Sequence, residues 1–252
     1  MVRAIRSEWI KLTSTRSPYW CLAIVAVFSI GIAVIIGLVA ARTSTSSSAN
    51  GVDAFAVTVG LTGFGSIVLM VMAVLAVTSE YRFGTIRTSF LTVPARGWVL
   101  IAKSLVYGGV ALVVTAVLAV VSLVVAYALA GDNRDLLSLG GSDAIRLYWG
   151  VPVYSFITMI IGIAVGALVR QTAGAIVIVL VWSLVLESLL RVIPKVGDKI
   201  YVLMPFANGS HFVGTVGNDG FHWNPYVSLL YFAVIAVVLL VVAIVVTIKR
   251  DA

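Results

Sequence analysis

Residues able to do chemistry are sparse in this chain and fall in four places. The first is a polar, basic insert, 79–103, whose only acid, Glu80, stands among Arg82, Arg87, Arg96 and Lys103. A carboxylate so placed has cations within reach on its own segment and on the basic N-terminal stretch, so it reads as an anchor rather than a catalyst. The second is Glu187 with Arg191, four apart on one helical face and able to pair. Ionisable residues inside an apolar run are functional candidates, so a structural pair and a substrate-path or gating role both stay open. The third is a stripe of small and hydroxyl residues, Thr58, Gly60, Thr62, Gly63, Gly65 and Ser66. Its ordinary use is close helix packing, as for Gly162-x-x-x-Gly166; the sharper reading is a polar face along a substrate pathway. Trp182 and Ser183, ahead of Glu187, would continue that pathway, which suits an amphipathic or apolar solute because so few fixed charges could not hold an ionic one. The fourth is His211, Asp219 and His222, whose spacing fits no ligand pattern, so no metal site is expected. Asn208-Gly209-Ser210 matches a glycosylation sequon, which matters only in a eukaryotic secretory route.

Several chemistries are missing. No Gly-x-x-x-x-Gly-Lys-Ser/Thr loop is present to hold ATP, no His-Glu-x-x-His and no Gly-x-Ser-x-Gly. The chain is expected not to be an enzyme. Its lone Cys21 forms no internal disulfide and reads as a small apolar residue.

The elements that must position these residues are membrane spans. The chain of 252 residues is 61% hydrophobic and 11% charged, with a mean hydropathy of +1.13. That composition excludes a soluble domain and predicts an all-α polytopic membrane protein. Six apolar runs are long enough to cross, 18–41, 55–78, 98–129, 148–169, 172–190 and 226–248. The first exceeds a signal-peptide core and reads as an uncleaved span. The third is unusually long, so it tilts or begins on the water side, where Lys103 would be comfortable. Arg170-Gln171 allows only a tight reversal.

Outside the spans, 1–17 is basic and amphipathic. Val2, Ile5, Trp9 and Leu12 share one helical face, with Arg3, Ser7 and Lys11 opposite. With Arg6, this predicts an interfacial helix on anionic lipid, Trp9 at headgroup level. Within the insert, Gly84-Thr85 opens a short helix with Thr85 as N-cap and Ile86, Phe90 and Leu91 as its apolar side; Pro94 closes it. Such a helix, flanked by Arg82 and Arg87, can dock on a soluble partner. The stretch 191–225 is rich in Gly, Pro and aromatics, and predicts short re-entrant or interfacial helices. With the N terminus inside, eleven of the seventeen Lys and Arg but three of the ten acids fall on the cytoplasmic side. That bias places both termini in the cytoplasm and accounts for the net charge of +7 without nucleic acid.

Together these features resemble the permease subunits of ABC type-2 transporters, in particular small actinobacterial antibiotic and multidrug export permeases of the daunorubicin-resistance type. The resemblance spans the chain, 1–252, as one transmembrane domain. It is carried by Ser7-Glu8-Trp9-Ile10-Lys11-Leu12, Ser14-Thr15-Arg16-Ser17, Glu80-Tyr81-Arg82-Phe83-Gly84-Thr85-Ile86-Arg87, Pro94-Ala95-Arg96 and Lys103. It implies a half-transporter in a bacterial plasma membrane, paired with a second permease chain, identical or homologous. Two separate ATPase subunits, holding ATP and Mg, would grip the coupling region 80–97, with 1–17 as a connecting helix and 191–225 as outer helices. The cargo would be antibiotics or drugs; lipid, glycolipid or peptide export, or an ion-gradient-driven transporter, are the competing functions.

Overall fold

The computed structural model describes residues 2–42, 54–85, 97–137, 142–193, 196–216 and 220–250, helical throughout its main elements and without strands among the described residues. A short helix, α1 (Val2–Ser14), precedes the first long one, α2 (Arg16–Arg42). The hydroxyls of Thr13, Ser14 and Thr15 bond back to carbonyls of Trp9, Ile10 and Lys11, satisfying the last turn of α1. Pro18 falls in the first turn of α2, where a missing N–H costs nothing. Then follow α3 (Ala54–Arg82), α4 (Gly97–Leu129), α5 (Ser142–Val169), α6 (Thr172–Leu190), the short α7 (Gly197–Tyr201) and α8 (Pro205–Phe212), and α9 (Pro225–Arg250). The six long helices are each apolar and long enough to cross a membrane, so the fold is an all-α, multi-pass membrane architecture.

α5 is the central element. Of its most apolar stretch 78% is buried, against 17% for α6 and for α9. It packs on α3, α4, α6 and α9, while α2 lies against α3 and α4 from outside. Close approach depends on glycine. A Cβ on Gly162 would come 2.7 Å from that of Ala73, and one on Gly60 of α3 would come 2.6 Å from the Phe28 carbonyl of α2. Gly60 opens a π-helical segment, Gly60–Gly65, which lets α3 pass α2 at that point. Between α2 and α4, Ser29 and Ser122 share a hydroxyl hydrogen bond of 2.5 Å.

Alternation of direction puts the end of α3, the start of α4, the α5–α6 reversal and the end of α9 at the same end of the bundle as α1. Gly97 lies against Ile244, and Thr172 donates to Thr78 over 3.0 Å. The reversal is tight, as expected, and Arg170 takes a left-handed φ of 60° with its guanidinium 4.9 Å from the Tyr81 ring. The opposite end carries α7 and α8, the short helices expected within 191–225.

The apolar residues expected to share one face of α1 are split between the bundle and the outside. Ala4, Glu8 and Leu12 point inward with Ile5 and Lys11 partly covered, whereas Trp9 is 52% exposed. The reason is charge: α1 turns Glu8 and Lys11 toward the bundle, and Trp9 stays on the outer face.

Candidate functional site

Three elements meet in a closed ring of charge. Glu8 comes from α1, Glu80 from the last turn of α3, and Lys103 from the second turn of α4. Lys103 Nζ donates to Glu8 Oε2 over 2.5 Å and to Glu80 Oε1 over 2.8 Å. Lys11 Nζ closes the ring, 2.7 Å from Glu8 Oε1 and 2.9 Å from Glu80 Oε1. Lys103 is 1% exposed, Glu8 2% and Glu80 6%, so the expectation of a solvated Lys103 is corrected: it is buried and held by two carboxylates. The Lys11 side chain is 32% exposed and forms the outer edge. Two carboxylates balance two ammoniums, which is what makes burial tolerable. Removing one partner from such a buried set leaves a charge uncompensated, a loss of about 3–5 kcal/mol.

The carboxylate oxygens are unevenly used. Both oxygens of Glu8 and Oε1 of Glu80 accept from an ammonium, while Glu80 Oε2 is buried with no partner among the described residues. A buried acceptor left unmatched costs roughly 1–3 kcal/mol. Beside it opens a cavity of about 430 Å³ between α1 and the ends of α2, α3 and α4, with Lys11, Pro18, Met72, Leu75, Glu80 and Tyr107 in its wall.

The remaining coupling residues are less constrained. Arg82 is exposed, with its guanidinium 5.7 Å from the Phe83 ring. Gly84 has a φ of +70°, the left-handed conformation that lets the chain leave α3 abruptly, and Thr85 follows it exposed. The expected coupling helix with Ile86, Arg87, Phe90 and Leu91 lies outside the described residues. On α1, Arg6 is exposed; the side chain of Arg3 lies outside the described set.

The residues assigned to a substrate pathway are held mainly by local bonds. The hydroxyls of Thr58, Thr62 and Ser66 are buried and bond to carbonyls three or four residues back in α3, and none of them lines the cavity. Ser183 does the same to Val179 over 2.8 Å, and Trp182 stacks edge-on against Phe206 at 5.6 Å. Glu187 does not pair with Arg191. Its carboxylate accepts the N–H groups of Phe206 and Ala207, at 3.1 and 2.6 Å, at the start of α8. Backbone donors at a helix N-terminus are the better partner for a buried carboxylate there. Arg191 lies over the Tyr201 ring at 4.7 Å instead.

α8 is otherwise braced by Asn208, whose amide donates to Val202 and Met204 carbonyls while Trp223 donates to its oxygen. Asn208 is fully buried, so the sequon cannot be glycosylated in this fold. His211 shares a 2.8 Å hydrogen bond with Ser228 and stacks on Phe221, and no metal-binding group of side chains occurs among the described residues.

Glu8 is the member of the ring that sequence reasoning misses. Its signal is present: the single acid of a basic helix, three residues before Lys11, in a chain with one lysine two turns inside an apolar run. Among known proteins, no family model and no curated protein matches the chain.

Proposed function

We propose that this chain is the membrane subunit of an ATP-driven exporter, working as a pair of permease chains with two separate ATPase subunits. Both termini and the connection between α3 and α4 would lie in the cytoplasm of a bacterial cell, in line with the concentration of Lys and Arg at that end. The observation that supports this reading best is the charge ring. The helices on either side of residues 83–96 are locked to each other and to α1 by buried ion pairs. Tyr81, next to Glu80, also carries the α5–α6 reversal through Arg170. A force applied to that connection is therefore passed to α1, α3, α4 and the start of α6 together, as a coupling element requires. The chain itself has no phosphate-binding loop, so ATP and Mg belong to the partner.

The cargo in this reading is an amphipathic drug or antibiotic, with lipid, glycolipid or peptide as the alternative within the same mechanism. The test is co-purification. The wild type is expected to bring down an ATPase subunit, and Phe90→Asp, on the expected docking side of the insert, to lose it while still inserting in the membrane. Transport driven by an ion gradient with no ATPase bound would overturn the proposal in favour of a secondary transporter.

A further inference from the structure

We propose that the cavity between α1, α2, α3 and α4 binds an amphiphile whose polar end is zwitterionic and carries N–H donors, the chemistry of an ethanolamine phospholipid head. The inference stands apart from the export reading. Three of the four carboxylate oxygens in the charge ring accept from an ammonium, and Glu80 Oε2, in the residue that forms part of the cavity wall, has no donor among the described residues. The ring is already neutral, so it lacks a donor rather than a charge. A head group that brings an ammonium together with its own phosphate supplies the donor and keeps the site neutral. A bare anion repels Glu80, and a quaternary ammonium has no N–H to give.

Shape and place agree with this choice. Pro18, Met72, Leu75 and Tyr107 make most of the wall apolar, and about 430 Å³ is in the range that holds a small ligand or a head group with its first methylenes. The cavity sits at the ends of three long apolar helices, beside an α1 whose outer face shows Trp9 and Ile10. That is the level at which a span leaves hydrocarbon and a lipid presents its polar end.

The experiment uses the full chain in lipid discs containing equal amounts of ethanolamine and choline phospholipids with identical acyl chains, read by native mass spectrometry after extraction. The two heads share phosphate, net charge and chains, and differ in N–H donors. We expect the wild type to retain the ethanolamine lipid roughly tenfold over the choline lipid, the effect of one charge-assisted hydrogen bond. Glu80→Gln, which turns the acceptor toward a donor, is expected to abolish the preference. Because Glu80 also holds the two lysines, Leu75→Trp fills the cavity without touching a charge and is expected to abolish it too. In discs of choline lipid alone, added dodecylamine tests a free primary amine at the same place. Equal retention of the two lipids by the wild type, or a preference unchanged in Leu75→Trp, overturns the proposal. Retention of dodecylamine without the ethanolamine lipid overturns the assignment to a lipid.

Discussion

The molecule buries acids at both ends, and it neutralises them in different ways. At one end Glu8 and Glu80 are held by Lys11 and Lys103, side chains contributed by α1, α3 and α4. At the other, Glu187 of α6 is held by backbone N–H groups of α8. A backbone cap needs only that one helix begin where another ends, and it fixes a local joint. A ring of side-chain charges ties together elements distant in sequence, and it loses most when a fully buried member such as Lys103 is removed. The first end is therefore tied together across three helices, and at the second the start of α8 is fixed to α6 by one carboxylate.

Substitutions can break this contrast in order of size. Lys103→Met strands two buried carboxylates and should destabilise the chain by about 3–5 kcal/mol, read as a large fall in thermal unfolding temperature in detergent. Restoring neutrality with Glu80→Gln in the same chain should recover part of the loss; no recovery would mean that packing, not charge, holds that end. Glu187→Ala removes the acceptor of two backbone donors and should cost roughly 1–3 kcal/mol. Its mark is local: faster hydrogen exchange over 196–216, with the charge-ring end unchanged. Faster exchange spread equally over both ends would contradict the local-joint description.

Lys11→Ala should cost less, about 1 kcal/mol, because Lys11 is partly exposed and its pairs are screened by water. Smallest of all is Arg191→Gln, expected to change stability by about 0.5–1 kcal/mol through its contact with Tyr201. It should leave the exchange of Phe206 and Ala207 amides as in the wild type; an Arg191 effect as large as that of Glu187→Ala would revive a direct pair between them.

Much of this architecture is legible in the amino-acid sequence. Six apolar runs, the tight turn at Arg170-Gln171 and the short helices of 191–225 follow from hydropathy and from Gly and Pro, because span length and helix breaking are local properties. The Gly162-x-x-x-Gly166 stripe packs closely on α3, the ordinary use of small residues between helices, and the hydroxyls of Thr58, Thr62 and Ser66 bond back within α3. Pairing is not local. Which cation meets Glu80 depends on how α1 rotates, and helical periodicity, which weighs hydrophobicity alone, groups Trp9 with Leu12 on one face and gives no sign that Glu8 turns inward to Lys103. Glu187 and Arg191 share a face in sequence, yet α8 arrives with free N–H groups that no reading of α6 alone could foresee.

Glu8 and Lys103 act as one unit across 95 residues of sequence, and the coupling of α1 to the bundle depends on it. The direct test is a double-mutant cycle with Glu8→Gln, Lys103→Met and the pair combined, measured as unfolding free energy of the full chain in one detergent. A coupling of about 2 kcal/mol or more, within the range seen for residues sharing a buried network, is the expected result. Additive losses, with coupling under about 0.5 kcal/mol, would contradict the claim that buried charge locks α1 to the bundle.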